Sequence, residues 1–139
     1  MVRKLLPDVV RDQKLLQLAP QATVRDAAQR MARHNVRSAL VMEDGKLRGI
    51  FTGTDLIGRV VAEGLDPDTT PLRQVMTADP QTISADENAI EALRRMQVGH
   101  FRHLPVVEGE KVVGILSRRD FYGYEVDEIE RQERLWEEM

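Results

Sequence analysis

Val24, Ala27, Ala28, Met31 and Ala32 recur at helical spacing, and Ala89, Ala92, Leu93 and Met96 repeat the stripe farther along the chain. Such stripes predict two core-facing helices rather than methionine-rich ligand surfaces. Each helix leads into a compact apolar run, Ser38-Ala-Leu-Val-Met42 and Leu104-Pro-Val-Val107. Polar hairpin turns follow at Glu43-Asp-Gly-Lys46 and Glu108-Gly-Glu-Lys111, and then second runs at Leu47-Arg-Gly-Ile-Phe51 and Val112-Val-Gly-Ile-Leu116. A new helix can start at Thr52 or Ser117, so each half reads helix, strand, turn, strand, helix. Pro105 cannot donate a ladder hydrogen bond, which restricts it to an edge, a bulge or the first residues of its strand.

The two halves are copies. Ala27 to Asp55 aligns without a gap on Ala92 to Asp120 at an offset of 65 residues, with Arg30/Arg95, Met31/Met96, Arg37/Arg102, Gly49/Gly114, Ile50/Ile115 and Asp55/Asp120 among the identical pairs. Coincidence of the apolar rhythm, the glycine and the terminal aspartate indicates duplication. Glu63 to Pro71 carries two prolines and a glycine and marks the connection. The expected organisation is a first repeat with its N-terminal lead over residues 1–63, a connection over 64–74, a second repeat over 75–123, and an acidic helical extension over 124–139. In that extension Val126, Ile129, Leu135 and Trp136 suit one apolar side of a helix, which either covers the domain, extends a dimer contact or projects into solvent.

Composition narrows the chemistry. The chain has 139 residues and a formal net charge of -3, so no broad basic surface argues for nucleic acid. It has no cysteine, which removes disulfides and thiolate metal sites, and His34, His100 and His103 lack zinc spacing. Asp8, Arg11, Asp12 and Lys14 break any long apolar start, so neither a secretory leader nor membrane insertion is expected, and the location expected is cytoplasmic. No nucleophile elbow or oriented triad is recognisable, which argues against an enzyme. No metal is expected either: Glu43, Asp44, Glu108 and Glu110 lie in polar turns and set no ligand shell.

Gly49-Ile-Phe-Thr-Gly-Thr-Asp55 and Gly114-Ile-Leu-Ser-Arg-Arg-Asp120 resemble the Gly-aliphatic-aliphatic-Thr/Ser-x-x-Asp ending of CBS repeats. The preceding hairpins are similar too, and the resemblance spans roughly residues 10 to 123. It implies an α+β fold of two β-α-β-β-α-type CBS repeats related by pseudo-two-fold symmetry. It also implies a regulatory module that binds AMP, ADP, ATP or S-adenosylmethionine, requires no cofactor, pairs as a homodimer, and signals to a separate regulated protein.

At the candidate site, the resemblance assigns Asp120 to ribose hydroxyls. Ser117 stands where free backbone N–H groups would bind a phosphate. Arg102, His103, Arg118 and Arg119 are the candidate phosphate contacts, and Thr82 a candidate base or ribose contact. Each has a purely structural counterpart: Ser117-x-x-Asp120 and Thr52-x-x-Asp55 are also helix-capping patterns, and Arg118 and Arg119 are also ordinary solvated helix residues. Gly49 and Gly114 either admit a ligand or solve a close packing contact. Arg37, Thr52 and Asp55 are candidates for a second nucleotide site. That site has Ser38 in place of His103 and Gly53-Thr54 in place of Arg118-Arg119, so it takes less phosphate, takes a nucleoside, or is vacant. The competing expectation is a protein-interaction module that has kept the fold without physiological nucleotide binding.

Overall fold

The structure, a computed structural model, describes residues 2–11 and 13–138. Met1, Asp12 and Met139 lie outside the described residues, and with them the ends of the expected lead and extension. Backbone contacts divide the chain into two units, Lys14–Pro80 and Met1–Gln13 with Gln81–Met139.

In Lys14–Pro80, β1 (Gln17–Leu18) is followed by α1 (Val24–Arg33) and by the hairpin of β2 (Ser38–Glu43) and β3 (Lys46–Thr52). Then come α2 (Gly53–Asp55), which continues in π-type turns over Leu56–Val61, α3 (Leu72–Val75) and β4 (Thr77–Ala78). The sheet order is β1-β2-β3-β4, with β1 parallel to β2 and the other pairs antiparallel. Helix α1 starts where the Thr23 hydroxyl accepts the Asp26 N–H at 3.1 Å, satisfying an otherwise orphaned donor. It buries Val24, Ala27 and Met31 of the predicted stripe, whereas Ala28 is half-buried and Ala32 exposed. The hairpin turns through Asp44 and Gly45, both at positive φ, as a type I′ turn demands.

The other unit repeats this plan with β5 (Ile83–Ser84), α4 (Ala89–Gly99), β6 (His103–Glu108) and β7 (Lys111–Ser117), in sheet order β5-β6-β7. Asn88 caps α4 by accepting the Glu91 N–H at 2.8 Å. Ala89, Ala92, Leu93 and Met96 are all fully buried, and burying a side chain the size of Leu93 contributes about 1.5–3 kcal/mol. The hairpins share even their irregularity, a register shift between Val41 and Met42 and again between Val106 and Val107. Residues of the N-terminal arm complete this unit: Leu5 is buried in its core, and the Leu5 N–H donates to the Glu87 carbonyl at 2.8 Å.

Two local expectations are corrected, and the place of Pro105 is resolved. Pro105 is the third residue of β6, which is central in its sheet rather than an edge, and it lies immediately before the register shift between Val106 and Val107. It is tolerated because the short β5 pairs only from Val106 onward, so no neighbour there requires its missing N–H. No continuous helix starts at Ser117. Arg118–Asp120 form one 3-10 turn, Phe121 is extended (φ -101°, ψ 146°), and α5 (Gly123–Glu138) begins afresh. On α5, Val126 and Ile129 pack into the core, but Leu135 and Trp136 are 48% and 76% exposed.

The paired glycines serve packing. A Cβ on Gly114 would lie 2.5 Å from Val10 Cγ1 and 3.0 Å from Gln13 Oε1, and one on Gly49 would lie 2.9 Å from the Thr77 carbonyl. Each glycine lets a neighbouring segment of its own unit lie directly on the strand.

Candidate functional site

The duplicated strand-to-turn junctions look alike in sequence and differ in state. In Lys14–Pro80, the Asp55 side chain folds back on the end of β3: its Oδ2 accepts the Thr52 N–H at 2.9 Å and the Thr52 hydroxyl at 3.1 Å. Its other oxygen pairs with Arg59 Nε at 3.5 Å, and the residue is buried at 7% exposure. Asp55 therefore has both carboxylate oxygens engaged and is buried, which leaves it less open to a ligand than a half-buried carboxylate with one oxygen unpaired.

At the end of β7, Asp120 Oδ2 accepts the Ser117 N–H at 2.6 Å and the Ser117 hydroxyl at 3.4 Å. Among the described residues Oδ1 has no partner, and the residue is only half-buried. The capping pattern is real in both repeats, but only the second leaves a carboxylate oxygen open. The sequence does contain the reason: Arg59, which occupies Asp55, lies four residues on, a helical neighbour, whereas the residue four beyond Asp120 is Tyr124.

A cavity of about 440 Å³ adjoins this junction, lined by Met96, Gln97, His100, Phe101, Arg102 and Arg118. Arg102 and Arg118 are exposed, and their guanidinium groups make no hydrogen bond or ion pair among the described residues. Two unneutralised guanidiniums at a cavity rim can take an anion through directed, bidentate hydrogen bonds. The apolar part of the wall comes from Met96 and Phe101. The Phe101 ring lies where a Cβ on Gly99 would sit, so only glycine allows the ring to fold over the end of α4. His100, at φ 58°, provides the left-handed C-cap that turns the chain into this wall.

The remaining candidates stand around the cavity rather than in its wall. His103 opens β6 and is in register with Ser117 on β7. Thr82 is exposed one residue before β5, and Arg119 is exposed on the 3-10 turn. In the first unit Arg37 is exposed, and its carbonyl accepts the Gly53 N–H at 3.0 Å. Gln97, His100 and Phe101 were not anticipated as lining residues, although their place immediately before Arg102 at the end of a helix offered a signal. Among the described residues, no group of three or more His, Asp or Glu side chains could hold a metal ion. No described helix is long and apolar enough to cross a membrane.

The CBS domain family matches residues 6–62 and 72–127. The CBS domain-containing protein CBSCBSPB3 of Arabidopsis thaliana is 44% identical over 105 residues, which are 75% of this chain and 19% of that protein. The chain thus spans about a fifth of that relative's length. Among solved structures, the CBS domain protein PAE2072 from Pyrobaculum aerophilum, complexed with AMP, superposes with a TM-score of 0.76 at 25% identity, over 86% of this chain and 94% of that one. A hexameric CBS-CP12 protein from bloom-forming cyanobacteria superposes with a TM-score of 0.78 at 26% identity, over 86% of this chain and 70% of that one.

Proposed function

The chain belongs to the CBS-domain family, and from that premise we propose that it senses an adenosine nucleotide through its second repeat and passes the signal to a regulated partner protein as a homodimer. CBS domains are regulatory modules without catalytic function, and related CBS proteins bind AMP and form oligomers. The observation that carries the reading is the difference between the repeats: Asp120 keeps one carboxylate oxygen without a partner among the described residues, on the same turn whose Arg118 lines a cavity with Arg102, whereas Asp55 is buried and engaged by Thr52 and Arg59.

In this reading, Asp120 Oδ1 accepts a ribose hydroxyl proton, and Arg102 and Arg118 take the phosphate with Ser117, His103 and Arg119 around it. Met96 and Phe101 supply apolar cover, and Thr82 contacts the base or ribose. Arg37, Thr52 and Asp55 form at most a weak second site, because the carboxylate is buried and engaged by Thr52 and Arg59. The dimer reading is supported by the exposure of Tyr122, Tyr124, Leu135 and Trp136 along or beside α5, more large apolar surface than a lone helix needs to show water.

Ligand-stripped protein titrated calorimetrically with AMP, ADP, ATP and S-adenosylmethionine tests the proposal. Saturable binding of at least one of these at one molecule per chain is expected. Absence of binding for all four would leave a protein-interaction module instead. Solution mass tests the dimer separately: a monomer over a broad concentration range removes it.

A further inference from the structure

Nothing in the sequence drew attention to Arg3, yet it is the hub of its unit's contacts. Its Nη2 donates to Glu125 Oε1 at 2.6 Å and to the main-chain carbonyl of Asp120 at 2.9 Å, and its Nε donates to Glu125 Oε2 at 3.1 Å. Its guanidinium carbon sits 3.7 Å from the centroid of the Tyr122 ring. The Arg3 side chain is 12% exposed and that of Glu125 1%. Glu125 Oε1 also accepts the Tyr122 N–H at 2.8 Å, so the carboxylate caps the start of α5 while holding the arginine. On the main chain, the Arg3 carbonyl accepts the Ala89 N–H at 2.8 Å, one of the orphan donors at the start of α4.

A buried ion pair is poor evidence of stabilisation in itself, because desolvation offsets much of the attraction. What this pair fixes is geometry. The turn that bears the Asp120 carboxylate leaves β7 on one side, and on the other its Asp120 carbonyl accepts from Arg3 just before Phe121, which is buried in this unit's core. Arg3 is the side chain that bonds the Asp120 carbonyl there, and the arm that carries it is docked by the Leu5 and Leu6 N–H groups on the Glu87 and Ala85 carbonyls.

We propose that Arg3 is a positioning residue of the nucleotide site, and that docking of the N-terminal arm and ligand binding at Asp120 are coupled. The inference rests on the reading of the second repeat as the nucleotide site. Coupling is reciprocal: if the docked arm sets the Asp120 turn for ligand, ligand must tighten the arm by the same factor. Binding would then reach the chain's N-terminal segment and the start of α5.

The test titrates wild type, Arg3→Met, Arg3→Lys and Glu125→Gln with AMP and with adenosine, after checking that each variant is folded, and follows amide exchange at Leu5 and Leu6 with and without AMP. Arg3→Met is expected to weaken AMP and adenosine by the same factor, about ten-fold, because the shared ribose contact is misplaced. Arg3→Lys should fall between, since one ammonium cannot span Glu125 and the Asp120 carbonyl as the guanidinium does. AMP should slow exchange at Leu5 and Leu6 in wild type. Should Arg3→Met fail to fold, Arg3→Lys and Glu125→Gln carry the comparison. Folded variants that bind AMP as wild type does, or exchange at Leu5 and Leu6 that AMP leaves unchanged, overturn the proposal. Wild type that binds neither ligand overturns the nucleotide reading itself.

Discussion

Asp55→Asn and Asp120→Asn should separate, because the two aspartates divide capping and binding unequally. Asp55 is buried, its Oδ2 takes two bonds from Thr52, and its Oδ1 faces Arg59. An asparagine there keeps one acceptor but loses the charge on the capping bond and turns an NH₂ toward the Arg59 guanidinium. A hydrogen bond to a charged group contributes about 1.5–3 kcal/mol and one between neutral groups about 0.5–1.5, so the substitution should cost about 1–2 kcal/mol. The Arg59 pair adds little, since that side chain is half exposed. For a chain of this length each kcal/mol lowers the melting temperature by about 4 °C. Asp120 is half-buried and caps a single 3-10 turn, so Asp120→Asn should cost under about 1 kcal/mol in stability. It should nevertheless weaken AMP by about ten-fold through the lost charged acceptor. Thermal melts and calorimetric titrations of both variants give the four numbers. Greater loss of AMP affinity in Asp55→Asn, or unchanged affinity in Asp120→Asn, refutes the assignment of the site to the second repeat.

Gly114→Ala should destabilise by about 1–3 kcal/mol in urea unfolding, because its Cβ collides with Val10 and Gln13, while Gly53→Ala, which meets open space, should be within about 0.5 kcal/mol of wild type. Arg118→Met should weaken AMP several-fold and leave adenosine unchanged in the same titration, since its guanidinium is assigned to phosphate alone. Glu128 is held below the usual carboxylate range by its bond to Arg131 on α5, so its contribution is present above the unfolded value and lost as pH falls through the folded one. Because the pair is exposed, its contribution is small, so Glu128→Gln should slightly flatten the fall of thermal stability on the acid side and leave the helix content at neutral pH unchanged, and a large loss of helix at neutral pH would contradict it.

Much of the fold was legible because the repeat states it twice. The stripes Val24/Ala27/Met31 and Ala89/Ala92/Leu93/Met96, both hairpins and the Asp44-Gly45 turn follow from local periodicity and turn chemistry. Three features were not legible, each for a long-range reason. Pro105 sits in a central strand only because its neighbour β5 is two residues long, and strand length on the partner is not encoded near the proline. The break after Asp120 comes where Arg3 bonds the Asp120 carbonyl across 117 positions of sequence, a contact no local pattern displays. Leu135 and Trp136 fit the apolar side of α5 by period, but period carries no information on where the core ends. At the site, the motif placed Ser117 and Asp120 together correctly as a cap. What distinguishes the repeats is Arg59, a local ion-pair partner that the sequence displays but that matters only once the burial of Asp55 is seen.

The most direct measurement is a crystal structure of ligand-stripped protein soaked or grown with AMP. The ribose hydroxyls are expected within hydrogen-bond distance of Asp120 Oδ1 and the phosphate against Arg102 and Arg118, with Asp55 still closed on Thr52 and Arg59. AMP found instead at the Thr52–Asp55 turn, with the Ser117–Asp120 turn empty, or at neither turn at saturating concentration, would contradict the account.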